Sequence, residues 1–155
     1  MSIKEVKIVT VRETGPVGDS FRSPSKIEKI WHESVTGASW YDSEKEAFVV
    51  FLLDRKNRVK SWQLVSLGTV DSSIVHPREV FRAAVVASAC SIIVAHNHPS
   101  GDATPSTEDI KVTTKLIEAE KLLGIGVLDH VIIGDKEVYP DGYLSFRKKG
   151  LVTFQ

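Results

Sequence analysis

Ala47-Phe48-Val49-Val50-Phe51-Leu52-Leu53 is the segment that most narrows the folds open to this chain. Seven successive apolar residues without polar alternation suit a strand covered on both faces, not one with a face in water. Ser91-Ile92-Ile93-Val94-Ala95 has the same character. Strands of this kind need helices above and below, and the helical patterns between them supply such a covering. The expected fold class is α/β, a mixed β-sheet flanked by helices.

The rest of the chain fills in that plan. Val6–Arg12 is β-branched and reads as a strand, followed by a loop marked by Gly15-Pro16 and Gly18-Asp19-Ser20. Pro24 suits a first helical position, and Ser25 with Glu28 has capping-box spacing. Ile27, Ile30, Trp31 and Val35 form one apolar stripe, and Gly37 is a plausible stop. Asp54-Arg55-Lys56-Asn57-Arg58 turns the first apolar run into a hairpin partner over Val59–Leu67. Pro77 opens a small-residue helix, and a longer helix runs from about Ser106 to Leu123, where Gly124 ends it. Val127–Ile133 is a further strand, with Lys136–Tyr139 expected to pair back across Gly134-Asp135.

At 155 residues the chain fits one domain with a real core, expected over about 24–151, with an N-terminal strand and loop over 1–23. Twenty basic and twenty acidic side chains cancel, so no global field draws it to nucleic acid or an anionic membrane. Arg147-Lys148-Lys149 is the densest basic run and reads as solvated surface. The single cysteine, Cys90, excludes an internal disulfide and a multi-cysteine zinc site, and its setting suggests a small core residue. No apolar stretch reaches about 18 residues and the first residues lack a signal-peptide pattern, so the expectation is a cytoplasmic protein without a membrane span. Trp31, Trp40 and Trp62 are scattered as packing residues are.

The chemistry concentrates between His96 and Asp109. The second apolar run leads into His96-Asn97-His98, and alternation along a strand puts both imidazoles on one side. Ser106 and Asp109 follow a turn-rich loop at i, i+3 spacing, near the start of the long helix. Two imidazoles and a carboxylate make a three-ligand site with an open fourth position, the catalytic rather than structural arrangement for zinc. Ser106-x-x-Asp109 also satisfies a helix capping box, and Thr104 before Pro105 is a second possible cap. Asp102 and Glu108 are alternative carboxylates. Asn97, pointing the other way, suits holding the loop. His130 reads as structural, with a supporting contact to the site as the alternative; His76 suits a turn and His32 an exposed helix face.

His-x-His, seven residues, Ser, two residues, Asp resembles the JAMM signature of the JAB/MPN metalloprotease superfamily. Its surroundings resemble the RadC-like branch: His76-Pro77-Arg78-Glu79-Val80-Phe81, then His96-Asn97-His98-Pro99-Ser100-Gly101, then Leu128-Asp129-His130-Val131-Ile132-Ile133-Gly134. The likeness runs from about Pro24 to Leu151 and implies an α/β/α sandwich of the cytidine-deaminase-like kind. It also implies a zinc-dependent peptidase or isopeptidase acting on a peptide or protein substrate. His96, His98 and Asp109 would be the metal ligands, Glu46 the general base and Ser106 the donor to the oxyanion. Glu44, on the same strand face, and Glu79 are the competing bases. Histidine and carboxylate ligands also suit iron or manganese. The alternative function is the DNA-repair-associated role traditionally attached to RadC-like proteins, which the neutral charge does not support. Zinc deaminase chemistry needs His-x-Glu and Pro-Cys-x-x-Cys, and neither is present.

Overall fold

A computed structural model describes residues 20, 21, 23–70 and 74–154. The strand expected over Val6–Arg12 lies outside those residues, as does nearly all of the loop after it. The two apolar runs become the middle of a five-stranded mixed sheet of order β2-β1-β3-β4-β5. Its strands are β1 (Glu46–Leu53), β2 (Val59–Gly68), β3 (Ser91–Asn97), β4 (Gly126–Ile133) and β5 (Tyr143–Ser145). Among the described residues only β3 and β4 run parallel; β1 is antiparallel to both neighbours and β5 antiparallel to β4.

Alternation along the buried strands sorts their side chains onto two faces. Phe48, Val50, Leu52, Ile92 and Val94 pack with Val80, Phe81 and Ala84 of α2 (Pro77–Val86) and with Val112 and Leu116 of α3 (Thr107–Leu123). Ala47, Val49, Phe51, Ile93 and Ala95 pack on the other face with Ile27, Trp31 and Val35. Those three come from α1 (Ser25–Ile30) and the π-helical turn that continues it over Trp31–Val35. This is the expected α/β architecture with helices on both sides of the sheet. The β3–α3–β4 crossover sets the C-terminal ends of two parallel strands beside the start of a helix, where open α/β sheets place ligands.

Four local expectations need correction. The Ser25–Glu28 capping box does not form, because the helix starts one residue earlier: Pro24 takes the N-cap position in αR geometry, and the Ser25 hydroxyl meets Ser23 Oγ at 2.8 Å. Gly37 does not stop a regular α-helix; Thr36 N–H reaches Trp31 O at 3.1 Å, an i to i+5 bond that closes the π turn. Lys136–Tyr139 is not a strand. Asp135 winds it into a turn, its carbonyl accepting from Val138 and Tyr139 N–H and its carboxylate from Glu137 N–H, so the strand that pairs with β4 is Tyr143–Ser145. Cys90 is exposed: in the short link from α2 to β3 its N–H bonds Leu53 O at 2.9 Å, and Ala89 is the residue that turns inward.

Candidate metal centre

His96 continues the Ile92–Val94 face and points from the end of β3 toward the start of α3, where no solvent reaches it. His98 follows, its N–H still on the β4 ladder through Ile133 O at 2.9 Å. The loop then folds back: Gly101 N–H bonds His98 O, and Asp135 N–H bonds Gly101 O at 2.8 Å. Gly134 lies directly beneath, where a Cβ would meet Gly101 O at 2.4 Å, so only glycine lets the loop settle this close. That fold-back brings Asp102 O to 2.7 Å from His98 Nδ1.

α3 delivers the carboxylate. Ser106 is its N-cap, with Oγ accepting from Asp109 N–H at 3.1 Å while Asp109 Oδ2 accepts from Ser106 N–H at 2.7 Å. The capping box leaves Asp109 Oδ1 3.1 Å from His96 Nε2, with Oδ2 3.4 Å from His98 Nε2. The two Nε2 atoms are 3.0 Å apart. His96, His98 and Asp109 thus present one ligand atom each within 4.8 Å of one another, a group able to hold a metal ion. His98 is the member nearest solvent, its side chain 13% exposed against 0% and 2% for His96 and Asp109. It also lines a cleft of about 180 Å³ with Trp31, Tyr41, Asn97, Gly101 and Asp135. A larger hollow near Asn57, Leu128 and Arg147 touches none of the three.

Proton positions follow from the partners. A carbonyl only accepts, so His98 Nδ1 carries its proton toward Asp102 O and Nε2 is left with a lone pair. Thr113 Oγ1 spends its one hydrogen on Asp109 O at 2.7 Å, so the 2.6 Å contact from His130 Nδ1 requires the proton on that nitrogen. Complete burial holds the His130 pKa well below its ordinary value. Neutral His130 therefore has a bare Nε2, which accepts from His96 Nδ1 at 2.8 Å. His96 Nε2 is then a lone pair too. Three acceptors converge with no proton assigned among them, which is tolerable only around a cation.

In the metal-free protein a proton answers that demand. Burial works against a charged His98, but its bonds to Asp109 and Asp102 O outweigh this and raise its pKa. Burial likewise opposes ionisation of Asp109, yet contacts with His96 and His98 hold its carboxyl far below the ordinary range. The donor set, two imidazole nitrogens and a carboxylate oxygen facing a common point, fits a divalent ion.

Glu46 stands across the ladder from this group. Phe48 pairs with His96, so two residues earlier on antiparallel β1 lies opposite position 98, on the same face. Stacking of the Phe48 ring on His96, centroids 5.8 Å apart, shows which face that is. Glu46 Oε2 accepts from Val70 N–H, and its charge is felt at His98. Asn97 pins the same segment: its Oδ1 accepts from Ala47 N–H at 2.8 Å and its Nδ2 donates to Lys45 O at 3.0 Å. The competitors are placed elsewhere. Glu44 is exposed, and Glu79 is paired with Arg78 and Arg82 on α2. Asp102 turns its carboxylate to Thr104, which uses that hydroxyl there rather than as a cap, and Glu108 pairs with Lys111.

The sequence signature of the RadC-like JAB domain matches residues 21–151. The chain belongs to the RadC-like JAB domain family. Among relatives of this RadC-like JAB domain, a UPF0758 protein of Caldanaerobacter subterraneus subsp. tengcongensis is 52% identical over 136 residues, covering 88% of this chain and 54% of the relative. A UPF0758 protein of Methanosarcina mazei is 50% identical over 111 residues, covering 72% of this chain and 46% of the relative. One from Pelobacter propionicus is 48% identical over 134 residues, 86% and 54% respectively. The chain spans about half the length of the relatives it matches. Among the described residues no helix is long and apolar enough to cross a membrane.

Of the two readings of His130 in this RadC-like JAB domain, the supporting contact given as the alternative is the one formed: His130 is bonded to His96. Thr113 was not singled out at all, although its spacing four residues after Asp109 on a helix puts both on one face. His76, expected in a turn, is the N-cap of α2, its Nδ1 accepting from Arg78 N–H at 3.2 Å.

Proposed function

We propose that this RadC-like JAB domain is a zinc-dependent hydrolase of peptide or isopeptide bonds, with His96, His98 and Asp109 as the zinc ligands. The observation that carries this reading is the meeting of three lone-pair donors around a point that requires positive charge. Zinc bound there supplies a Lewis acid that polarises a carbonyl and lowers the pKa of water toward about 7.

The chain's own groups perform the remaining work. Glu46, oriented by Val70 N–H and held in place by Asn97, takes the proton from the attacking water and delivers it to the departing amine. Ser106 accepts from Asp109 N–H, which leaves its own hydrogen free to donate to the oxyanion of the tetrahedral intermediate. Asp109 is held by Ser106 N–H so that Oδ1 keeps its aim. Exposure of His98 leaves the site open on one side to an incoming chain.

The test is a peptide-library cleavage screen on zinc-loaded protein, run beside Glu46→Gln. Cleavage by the native chain, with zinc retained but turnover lost in Glu46→Gln, is expected. A Glu46→Gln protein that cleaves at the native rate removes that glutamate from the mechanism, and no cleavage of any peptide or isopeptide by zinc-loaded native protein overturns the assignment.

A further inference from the structure

A completely buried histidine with both ring nitrogens engaged needs a reason beyond packing. His130 lies on β4 between Phe48 and Phe146, ring centroids 5.6 and 4.6 Å away, in surroundings that an apolar side chain would fill at lower cost. Its two bonds run in opposite directions: Nδ1 to Thr113 Oγ1 at 2.6 Å and Nε2 to His96 Nδ1 at 2.8 Å.

We propose that His130, locked by Thr113, is a positioning residue that fixes His96 in the one tautomer able to bind a cation. The inference rests on the metal-site reading above and adds to it the device that prepares the ligand. The chain of protons has a fixed polarity because it begins at a carbonyl. Asp109 O takes the Thr113 hydroxyl hydrogen, Thr113 Oγ1 takes the His130 Nδ1 proton, and His130 Nε2 takes the His96 Nδ1 proton. His96 Nε2 is bare as a result.

Removing the Thr113 hydroxyl breaks the polarity at its source. His130 is then free to place its proton on Nε2, His96 Nδ1 must accept it, and the His96 proton moves to Nε2, where it points at the metal position. A slip of one proton along each ring converts a ligand into a donor. The same Thr113 hydroxyl steadies the first turn of α3, so two of the three ligands are tuned by one side chain. Outer-shell partners of this kind typically change metal affinity by about 10–100-fold.

The test compares native protein with Thr113→Val, Thr113→Ser and His130→Phe. Zinc affinity is read by competition with a chromophoric chelator, and imidazole tautomers by long-range 1H–15N correlation on the metal-free protein at alkaline pH. Thr113→Val and His130→Phe are expected to bind zinc about 10–100-fold more weakly. Thr113→Ser, which keeps the hydroxyl, restores native affinity. His96 is expected to carry its proton on Nδ1 in native protein and Thr113→Ser, and to lose that preference in Thr113→Val. Native affinity and an unchanged His96 tautomer in a folded Thr113→Val protein overturn the proposal. Native protein that binds no zinc defeats the hydrolase reading instead, while the tautomer measurement still decides this one.

Discussion

Asp109→Asn separates the proposed metal ligand from the helix cap. Asparagine keeps the size of the side chain and one carbonyl oxygen. With that oxygen on Ser106 N–H, as Oδ2 is now at 2.7 Å, the capping bond survives. The amide nitrogen then replaces Oδ1, 3.1 Å from His96 Nε2, and donates to a lone pair that otherwise needs a cation. Above the raised pKa of His98, where no proton bridges the cluster, the metal-free variant is therefore expected to melt no lower than the metal-free native protein. Metal binding loses its only anionic ligand, and the amide NH2 offers no lone pair in its place. Zinc at about 100 times its Kd stabilises a native fold by about 2.7 kcal/mol, or about 5–11 °C for a chain of this size. At the same zinc concentration, a site weakened about 100-fold retains about 0.4 kcal/mol, a shift below about 2 °C. Scanning calorimetry with and without zinc reads both numbers. A full zinc shift in Asp109→Asn refutes ligation by the carboxylate, and a large loss of metal-free stability at that alkaline pH refutes the view that the cluster waits for positive charge.

Ser106→Gly distinguishes the two duties of the N-cap serine: glycine in place of a capping residue costs a few tenths of a kcal/mol, whereas loss of an oxyanion donor costs about 10²-fold in kcat. Paired melting and turnover measurements should show the second loss without much of the first; native kcat would leave Ser106 a cap and nothing more. The pH dependence of metal-free stability follows from one interaction seen from both partners. His98, raised above its ordinary 6.5, contributes stability fully present below that value and lost as pH rises through its folded pKa. Asp109, lowered from 3.8, contributes stability present above that value and lost as pH falls through its own folded pKa. Metal-free protein should therefore weaken above about pH 6.5, and zinc should abolish that decline by replacing the proton; denaturant midpoints that are flat with pH in the metal-free form would contradict this.

The parts of the molecule governed by local pattern were legible in the sequence. Continuous apolar runs placed β1 and β3 in the middle of the sheet, and the alternation beyond Ala95 put both imidazoles on one side. Ser106-x-x-Asp109 was read as both cap and ligand, and the structure gives the cap and the convergence on His96 and His98 together. What escaped depends on pairing across elements. Parallel register between β3 and β4 pairs His130 with Val94, two residues before His96 and on the same face; no periodicity within either strand reveals a register, so the contact to His96 stood only as the alternative reading. Cys90 and Lys136–Tyr139 were misjudged for the opposite reason: each sits where a backbone bond to Leu53 O or to the Asp135 carbonyl overrides the preference of its side chains.

Anomalous X-ray scattering at the zinc edge, from crystals of zinc-loaded protein, addresses the central claim most directly. One peak within about 2.0–2.2 Å of His96 Nε2, His98 Nε2 and an Asp109 carboxylate oxygen is the expected result. Zinc seated elsewhere, with the two imidazoles and the carboxylate still facing one another around an empty point, would contradict it.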